Sequence, residues 1–326
     1  MKMNFLELGV GKGNQFWKYL FVMIFAWAIG AGLFGFIPLI VTSAIIVDQS
    51  NGDWSSLMDF EAIGMSLNLG LFLILLSFAI GLVMFLGAIW FIHNKRTYKE
   101  TINGTKKVRW NRVWVGVCSW GILKIIFYSF ALITNPENYV LQFDIATFIP
   151  LLFIVLLFIP LQTTFEELTF RGYLAQGLAG LTKSRWVAFL IPSTIFGLMH
   201  MANPEVAEHG FWIMMPQYIF VGLVWGLISI LDDGIELAIG AHAINNVFLA
   251  LFFTHSASAL QTNAVFQVQE INPVGSLISL IVFSTIFVYV LWRIYKWDFS
   301  ILNKRVEKQE EDATENEQNN TIRPQF

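Results

Sequence analysis

Apolar runs of about 18 or more residues recur along this chain, the length a helix needs to cross the roughly 30 Å hydrocarbon layer of a bilayer. A spanning segment must satisfy its own backbone hydrogen bonds, so such runs predict helices, and the alternating ten-residue segments of a membrane barrel are absent. The spans read at roughly 17–47, 64–93, 113–134, 146–165 with a helical continuation to about 180, 186–202, 211–231, 235–255 and 273–295. The predicted fold class is therefore all-α, a polytopic transmembrane helical bundle of about eight helices with a disordered C-terminal tail. Composition agrees: 56% of the 326 residues are hydrophobic and 13% charged, with a mean hydropathy of +0.61. A soluble domain carries about 25% charged residues.

The organisation follows from where the apolar runs stop. A polar leader occupies 1–16, an N-terminal three-helix membrane region 17–134, a core 146–255, a last transmembrane helix 273–295 and an acidic tail 303–326. Gly9, Gly11 and Gly13 surround Lys12 without the spacing of a phosphate loop, so the leader is expected to be flexible. The first apolar run is too long for a cleavable signal peptide and is expected to remain as an anchor. The first and fourth spans exceed a perpendicular crossing, which predicts tilt, an interfacial extension or a break at Pro38 or Pro160. Gly222 and Gly226 form a GxxxG pair suited to close helix packing.

Charge sets an expected orientation. Lys95, Arg96, Lys99, Lys106, Lys107, Arg109 and Arg112 crowd the loop between the second and third spans, whereas the loop before the second span holds only acids. The positive-inside rule then puts both termini in the cytoplasm, and the short loops suit a bacterial plasma membrane. The net charge of −3 comes mostly from the acidic tail, and no basic face is available for nucleic acid, which excludes that class of partner. One cysteine, Cys118, in an apolar run rules out a disulfide framework or thiolate metal site and suits packing.

Ionisable groups near the bilayer centre cost roughly 2.5–3.5 kcal/mol each on insertion scales and face partners or water-filled cavities. Here Glu166, Glu167 and Arg171 end the fourth span, His200 lies in the fifth, and His242, Asn245 and Asn246 lie in the seventh. Glu167 and Arg171 are four apart and form a natural ion pair, while Glu166 is turned about 100° to another neighbour. Phe196 shares a face with His200, and His242 with Asn246. A hairpin turning near Lys183 puts Glu166 and His200 at one depth, roughly 20 Å from the turn. A carboxylate, two imidazoles and an amide around one cavity can activate water and stabilise an oxyanion, with Glu166 as general base. His200, His242 and Asn246 are suited to hold the water, or a metal, or to donate to the oxyanion. No HExxH helix, GxSxG elbow or candidate nucleophilic cysteine is present, which favours direct attack by water. His93, His209, His255 and Lys124 are assigned no role.

Glu-Glu-x-x-x-Arg at 166–171, Phe-x-x-x-His at 196–200 and His-x-x-x-Asn at 242–246, in order on successive apolar helices, resemble the motifs of the CAAX protease and bacteriocin-processing family. The resemblance covers roughly residues 146–255. It implies an intramembrane glutamate-dependent or metal-dependent endopeptidase acting on a membrane-embedded or lipidated peptide. Glu166 matches the water-activating glutamate, Glu167 and Arg171 complete the first motif, His200 the second, and His242 and Asn246 the last. Zinc is a candidate cofactor, with Glu166, His200 and His242 as its candidate ligands, though nothing in the spacing demands it. Two rivals stand beside this reading: a non-catalytic membrane scaffold or immunity-type protein using the same pocket, and a transporter. The second lacks the internal repeat that transporters often show.

Overall fold

The computed structural model describes residues 4–11, 13–50, 60 and 62–307. Along the chain, α1 is the apolar helical run Phe16–Gln49, α2 spans Leu67–Ile92, α3 is the short Tyr98–Asn103, α4 spans Trp110–Thr134 and α5 is the long run Ile145–Thr182. Then follow α6 (Arg185–Leu198), α7 (Pro204–His209), α8 (Phe211–Leu231), α9 (Glu236–Phe252) and α10 (Pro273–Tyr295). Six of these, α1, α2, α4, α5, α8 and α10, are long and apolar enough to cross a membrane, and α6 and α9 are shorter apolar helices. The chain is an all-α integral membrane protein. Among the described residues, three short strands form a minor β component: β1 (Tyr139–Leu141), β2 (Phe253–Thr254) and β3 (Phe266–Val268). They order β1-β3-β2, with β1 antiparallel to β3 through Val140↔Gln267 and β2 parallel to it.

Local chemistry marks the helix ends. The Ser66 hydroxyl accepts from the Leu69 N–H at the start of α2, Asp144 accepts from the Ala146 and Thr147 N–H groups at α5, and Ser184 from Val187 at α6. Lys183, at φ +60°, turns the chain between α5 and α6, where the sequence placed the hairpin. Neither long helix breaks at its proline. Instead, the wide turns fall at Phe25–Phe34 in α1 and Leu168–Leu174 in α5, each continuing into α-helix. Such π-helical turns are rare and often mark functional segments. The GxxxG reading fits the packing of α8 on α6, because a Cβ on Gly222 would lie 2.5 Å from Ser193 O and one on Gly226 2.4 Å from Ser193 Oγ.

The leader departs from the flexibility expected of it. Phe5 and Leu6 are buried, the Asn4 and Phe5 N–H groups both donate to the Asp233 carboxylate at 3.0 Å, and Glu7 pairs with Arg185. Glycine-rich sequence gives conformational freedom, but a buried acceptor and two apolar side chains fix it here. The start of the predicted tail also docks, since the Val306 N–H donates to Lys183 O at 3.0 Å; residues 308–326 lie outside the described residues.

Around this docked leader lies an ionic cluster. Arg109 meets Glu236 at 2.6 Å and Asp232 at 3.3 Å, Arg112 meets Asp232 at 3.0 Å, and the Trp297 N–H reaches Asp232 Oδ1 at 3.1 Å. Burial pushes the Asp232 and Asp233 carboxyls up from their ordinary value. Arg109 and Arg112 oppose this at Asp232, the two leader N–H groups at Asp233.

Candidate active site

Three elements carry the polar residues picked out above: the end of the α-helical part of α5, the turn that follows α6, and the middle of α9. At the first, the π-helical turn directly after Glu167 loosens the backbone hydrogen bonding. The Thr169 hydroxyl compensates by donating to Phe165 O at 2.8 Å and Glu166 O at 3.1 Å, while accepting from the Trp27 indole at 3.2 Å. The segment is thus held although its helix is irregular.

Glu167 and Arg171 form the expected pair, Nη1 to Oε1 at 3.0 Å, with both side chains buried. Arg171 also donates to Gly222 O at 3.3 Å, and its guanidinium lies 3.8 Å from the centre of the Phe196 ring. The same Glu167 oxygen lies 2.7 Å from His242 Nδ1. A carboxylate only accepts, so Nδ1 carries the proton and Nε2 presents its lone pair on the other side of the ring. There Nε2 faces Glu166 Oε2 at 3.6 Å and the Asn246 amide nitrogen at 3.4 Å.

Glu166 differs from Glu167. It is 5% exposed and lines a cavity of about 1360 Å³; its Oε2, like that of Glu167, is buried with no hydrogen-bond partner among the described residues. His200, His242 and Asn246 line the same cavity, whereas Glu167 and Arg171 stand behind His242 and do not. The six candidates therefore divide into four around a cavity and two that brace one of the four.

The fifth span was read through residue 202, but α6 ends at Leu198 and His200 sits in the turn beyond it. Its Nδ1 lies 2.9 Å from Phe196 O, four residues back, and so caps a carbonyl that the helix end leaves open. That bond again puts the proton on Nδ1 and leaves Nε2 as a lone pair. The Tyr218 ring stacks on His200 at 4.6 Å and an interplanar angle of 19°.

Gln162, Trp120 and Tyr218 were not singled out in the sequence. Asn246 donates to Gln162 Oε1 at 3.3 Å, Asn245 to Asn246 Oδ1 at 3.0 Å, and the Trp120 indole to Asn245 Oδ1 at 3.1 Å. Asn245, whose role the sequence left open, thus holds Asn246 in place. Gln162 had a signal, since it lies one turn before Glu166 on the same face.

Fit to a metal has two sides. Glu166 Oε2 has no hydrogen-bond partner among the described residues, His200 Nε2 presents a lone pair, and His242 Nε2 meets only the Asn246 amide, at 3.4 Å. Each Nδ1 is held by an acceptor, the usual arrangement around a ligating histidine. Yet the three ligand atoms are not drawn together. Among the described residues, a triple with every ligand atom within 4.8 Å of the others is formed by Glu208, His209 and His255 instead. That triple carries an obstacle of its own, because His255 Nδ1 accepts the Ala257 N–H at 3.1 Å.

Comparison with known proteins bears on the same segment. The family described as type II CAAX prenyl endopeptidase Rce1-like matches residues 145–248, from the start of α5 into α9. Uncharacterized protein YyaK of Bacillus subtilis (strain 168) is 34% identical over 201 residues, covering 61% of this chain and 67% of that protein. No solved structure matches the chain. With the three motifs in order on apolar helices and the family match spanning the segment that carries them, the chain belongs to the CAAX protease and bacteriocin-processing family.

Proposed function

We propose that this protein is an intramembrane endopeptidase that hydrolyses a peptide bond in a membrane-embedded or lipidated peptide, with Glu166 activating the attacking water. The observation that carries this reading is the unpartnered Glu166 Oε2, buried in the cavity and 3.6 Å from the lone pair of His242 Nε2. Two acceptors at that separation do not bond each other, but one water donating a hydrogen to each satisfies both. The oxygen of that water keeps its lone pair for a carbonyl carbon. Glu166 takes the proton as the carbon–oxygen bond forms, and the Asn246 N–H that faces His242 Nε2 at 3.4 Å, the one not held by Gln162, turns to donate to the oxyanion. Breakage of the carbon–nitrogen bond then sends that proton to the leaving amine. Glu167 and Arg171 act through His242, fixing its tautomer and ring plane.

A second reading replaces water activation by Glu166 alone with a bound zinc ion, which Glu166, His200 and His242 would hold if their ligand atoms converged. The ion would act as a Lewis acid on the carbonyl oxygen and the water. The bracing of both Nδ1 atoms favours it.

At the opposite end from the basic loop, residues that follow α4 and α9 line the cavity, Glu137 and Gln269 among them. Under the positive-inside rule that end is non-cytoplasmic, so the peptide enters from that side.

Cleavage of a membrane-peptide panel by purified protein in lipid tests the mechanism. Wild type should cleave and Glu166→Gln should not; equal cleavage by Glu166→Gln refutes it. Loss of cleavage on chelation, with metal found in the purified protein, selects the zinc version. For sidedness, Gln269→Cys in a Cys118→Ser background should react with a membrane-impermeant maleimide in intact cells. Labelling only after lysis reverses the orientation.

A further inference from the structure

Every Asp, Glu, Lys or Arg lining the cavity is a carboxylate. Glu137, Glu205 and Glu270 stand on its rim and Glu166 on its floor, and no Lys or Arg is among the described lining residues. The sequence of the rim supports this, because no Lys or Arg occurs at 125–170 or 186–292. Arg171 and Lys124, which do not line the cavity, are engaged elsewhere. Arg171 is paired with Glu167, and Lys124 lies 5.8 Å from the Tyr128 ring centre and 6.0 Å from that of Trp120 without lining the cavity. Glu137 and Glu270 are exposed, while Glu205 is half-buried and accepts from the Ala259 N–H at 2.8 Å.

The rim acids do not stand alone. Glu166, on the floor, is a buried carboxylate that lines the same space, and its Oε2 has no hydrogen-bond partner among the described residues. A cleft lined by one sign of charge between low-dielectric walls focuses the field and raises the local concentration of the opposite sign by about 10- to 1000-fold in rate terms. At about 1360 Å³ the cavity also exceeds the roughly 300–1,000 Å³ typical of small-molecule sites, which leaves room for a stretch of peptide.

We propose that the occupant is a cationic peptide segment, with Lys or Arg flanking the bond presented to Glu166, and that a free C-terminal carboxylate is disfavoured there. The proposal rests on the proteolytic reading only for the word bond; the charge preference itself is a property of the cavity. A substrate cut a few residues from its end would carry its α-carboxylate among these glutamates, where like charges repel through a low-dielectric medium. The preferred cut is therefore internal to a basic segment.

The test uses the full-length protein in lipid nanodiscs and fluorescent peptides with one apolar centre flanked by Lys, Gln or Glu, each ending in a carboxylate or an amide. Binding is read by anisotropy for wild type, for Glu166→Gln and for the exposed-rim double variant Glu137→Gln with Glu270→Gln. The expected order is Lys over Gln over Glu, about tenfold per step, with amide ends ahead of carboxylate ends. The order should compress at high salt, where charges are screened, and shrink in the double variant. Binding without this order, or no binding by any peptide, overturns the proposal. Cleavage is followed in parallel. Charge-ordered binding with no cleavage supports the proposal while sinking the proteolytic reading, and cleavage with no charge order does the reverse.

Discussion

Two groups of buried acids lie at different depths in this molecule, and they are solved in opposite ways. At the basic end, Glu236 is fully buried and accepts from the Arg109 guanidinium twice, at 3.0 and 2.6 Å. Asp232 faces Arg109, Arg112 and Trp297, and Asp233 is capped by two leader N–H groups. Beside the cavity, Glu167 is paired with Arg171 and accepts from His242 Nδ1, and its Oε2, like that of Glu166, is buried without a hydrogen-bond partner among the described residues; of the two, Glu166 alone lines the cavity. Burying an unpaired carboxylate is costly, so packing alone gives no reason to keep one. The comparison teaches that buried charge by itself marks nothing. What separates a candidate reacting group from a strut is a missing partner in a space that can admit one.

The largest effects should come from exchanging the two roles. Glu166→Gln should lower the cleavage rate about 10²- to 10⁴-fold, the range of a lost general base, while leaving thermal unfolding in detergent unchanged or slightly raised. Glu236→Gln should do the opposite. It leaves Arg109 partly unpaired, and breaking a buried pair costs about 3–5 kcal/mol, read as unfolding at lower denaturant, with the cleavage rate per folded molecule retained. A stable, active Glu236→Gln protein would remove the distinction.

Much of this was legible in the sequence and some was not, for definite reasons. Span length located the six long helices, because the bilayer sets a length that few other environments require, while the apolar runs read as the fifth and seventh spans proved to be shorter helices. The i,i+4 spacing of Glu167 and Arg171 gave their ion pair, and the placing of Lys183 gave the hairpin that brings Glu166 and His200 to one cavity. The basic-end cluster was missed because Arg109, Asp232 and Glu236 fall in or beside loops, where charged residues are ordinary, and only the tertiary fold buries them. The docking of the leader was hidden for a similar reason: backbone N–H groups that cap Asp233 leave no side-chain signature. The end of α6 before His200 also escaped, since an apolar run does not reveal where its last hydrogen bonds open.

A smaller effect sharpens how the cavity wall is held. Gly222 gives its carbonyl to Arg171, and its Cα packs against α6 so closely that a Cβ would meet Ser193 O at 2.5 Å. Gly222→Val should force α8 from α6 at about 1–3 kcal/mol, the usual cost of overpacking. Because Arg171 braces Glu167 and through it His242, the cleavage rate of the folded fraction should fall as well. A loss of stability with the rate per folded molecule intact would uncouple the helix contact from the site.

The smallest effect belongs to His93, which closes α2 at the basic end. Its Nε2 lies 2.7 Å from the Tyr173 hydroxyl, and burial first, then Arg96 and Lys18, lowers its pKa from 6.5 to about 4. The fold therefore prefers the neutral ring. Stability from this preference is complete above the unfolded value of 6.5 and is lost as pH falls from there toward about 4, since the unfolded chain takes up the proton first. The ring is partly exposed, which weakens the effect, so a drop of about 2–4 °C in melting temperature is expected across that window. Carboxylates begin to titrate near its lower end, so the informative quantity is the difference from His93→Gln, whose melting temperature should change less over the same range. Equal slopes would mean that His93 is protonated in the folded protein as readily as outside it, and the basic end would then tolerate one more charge than its pairing implies.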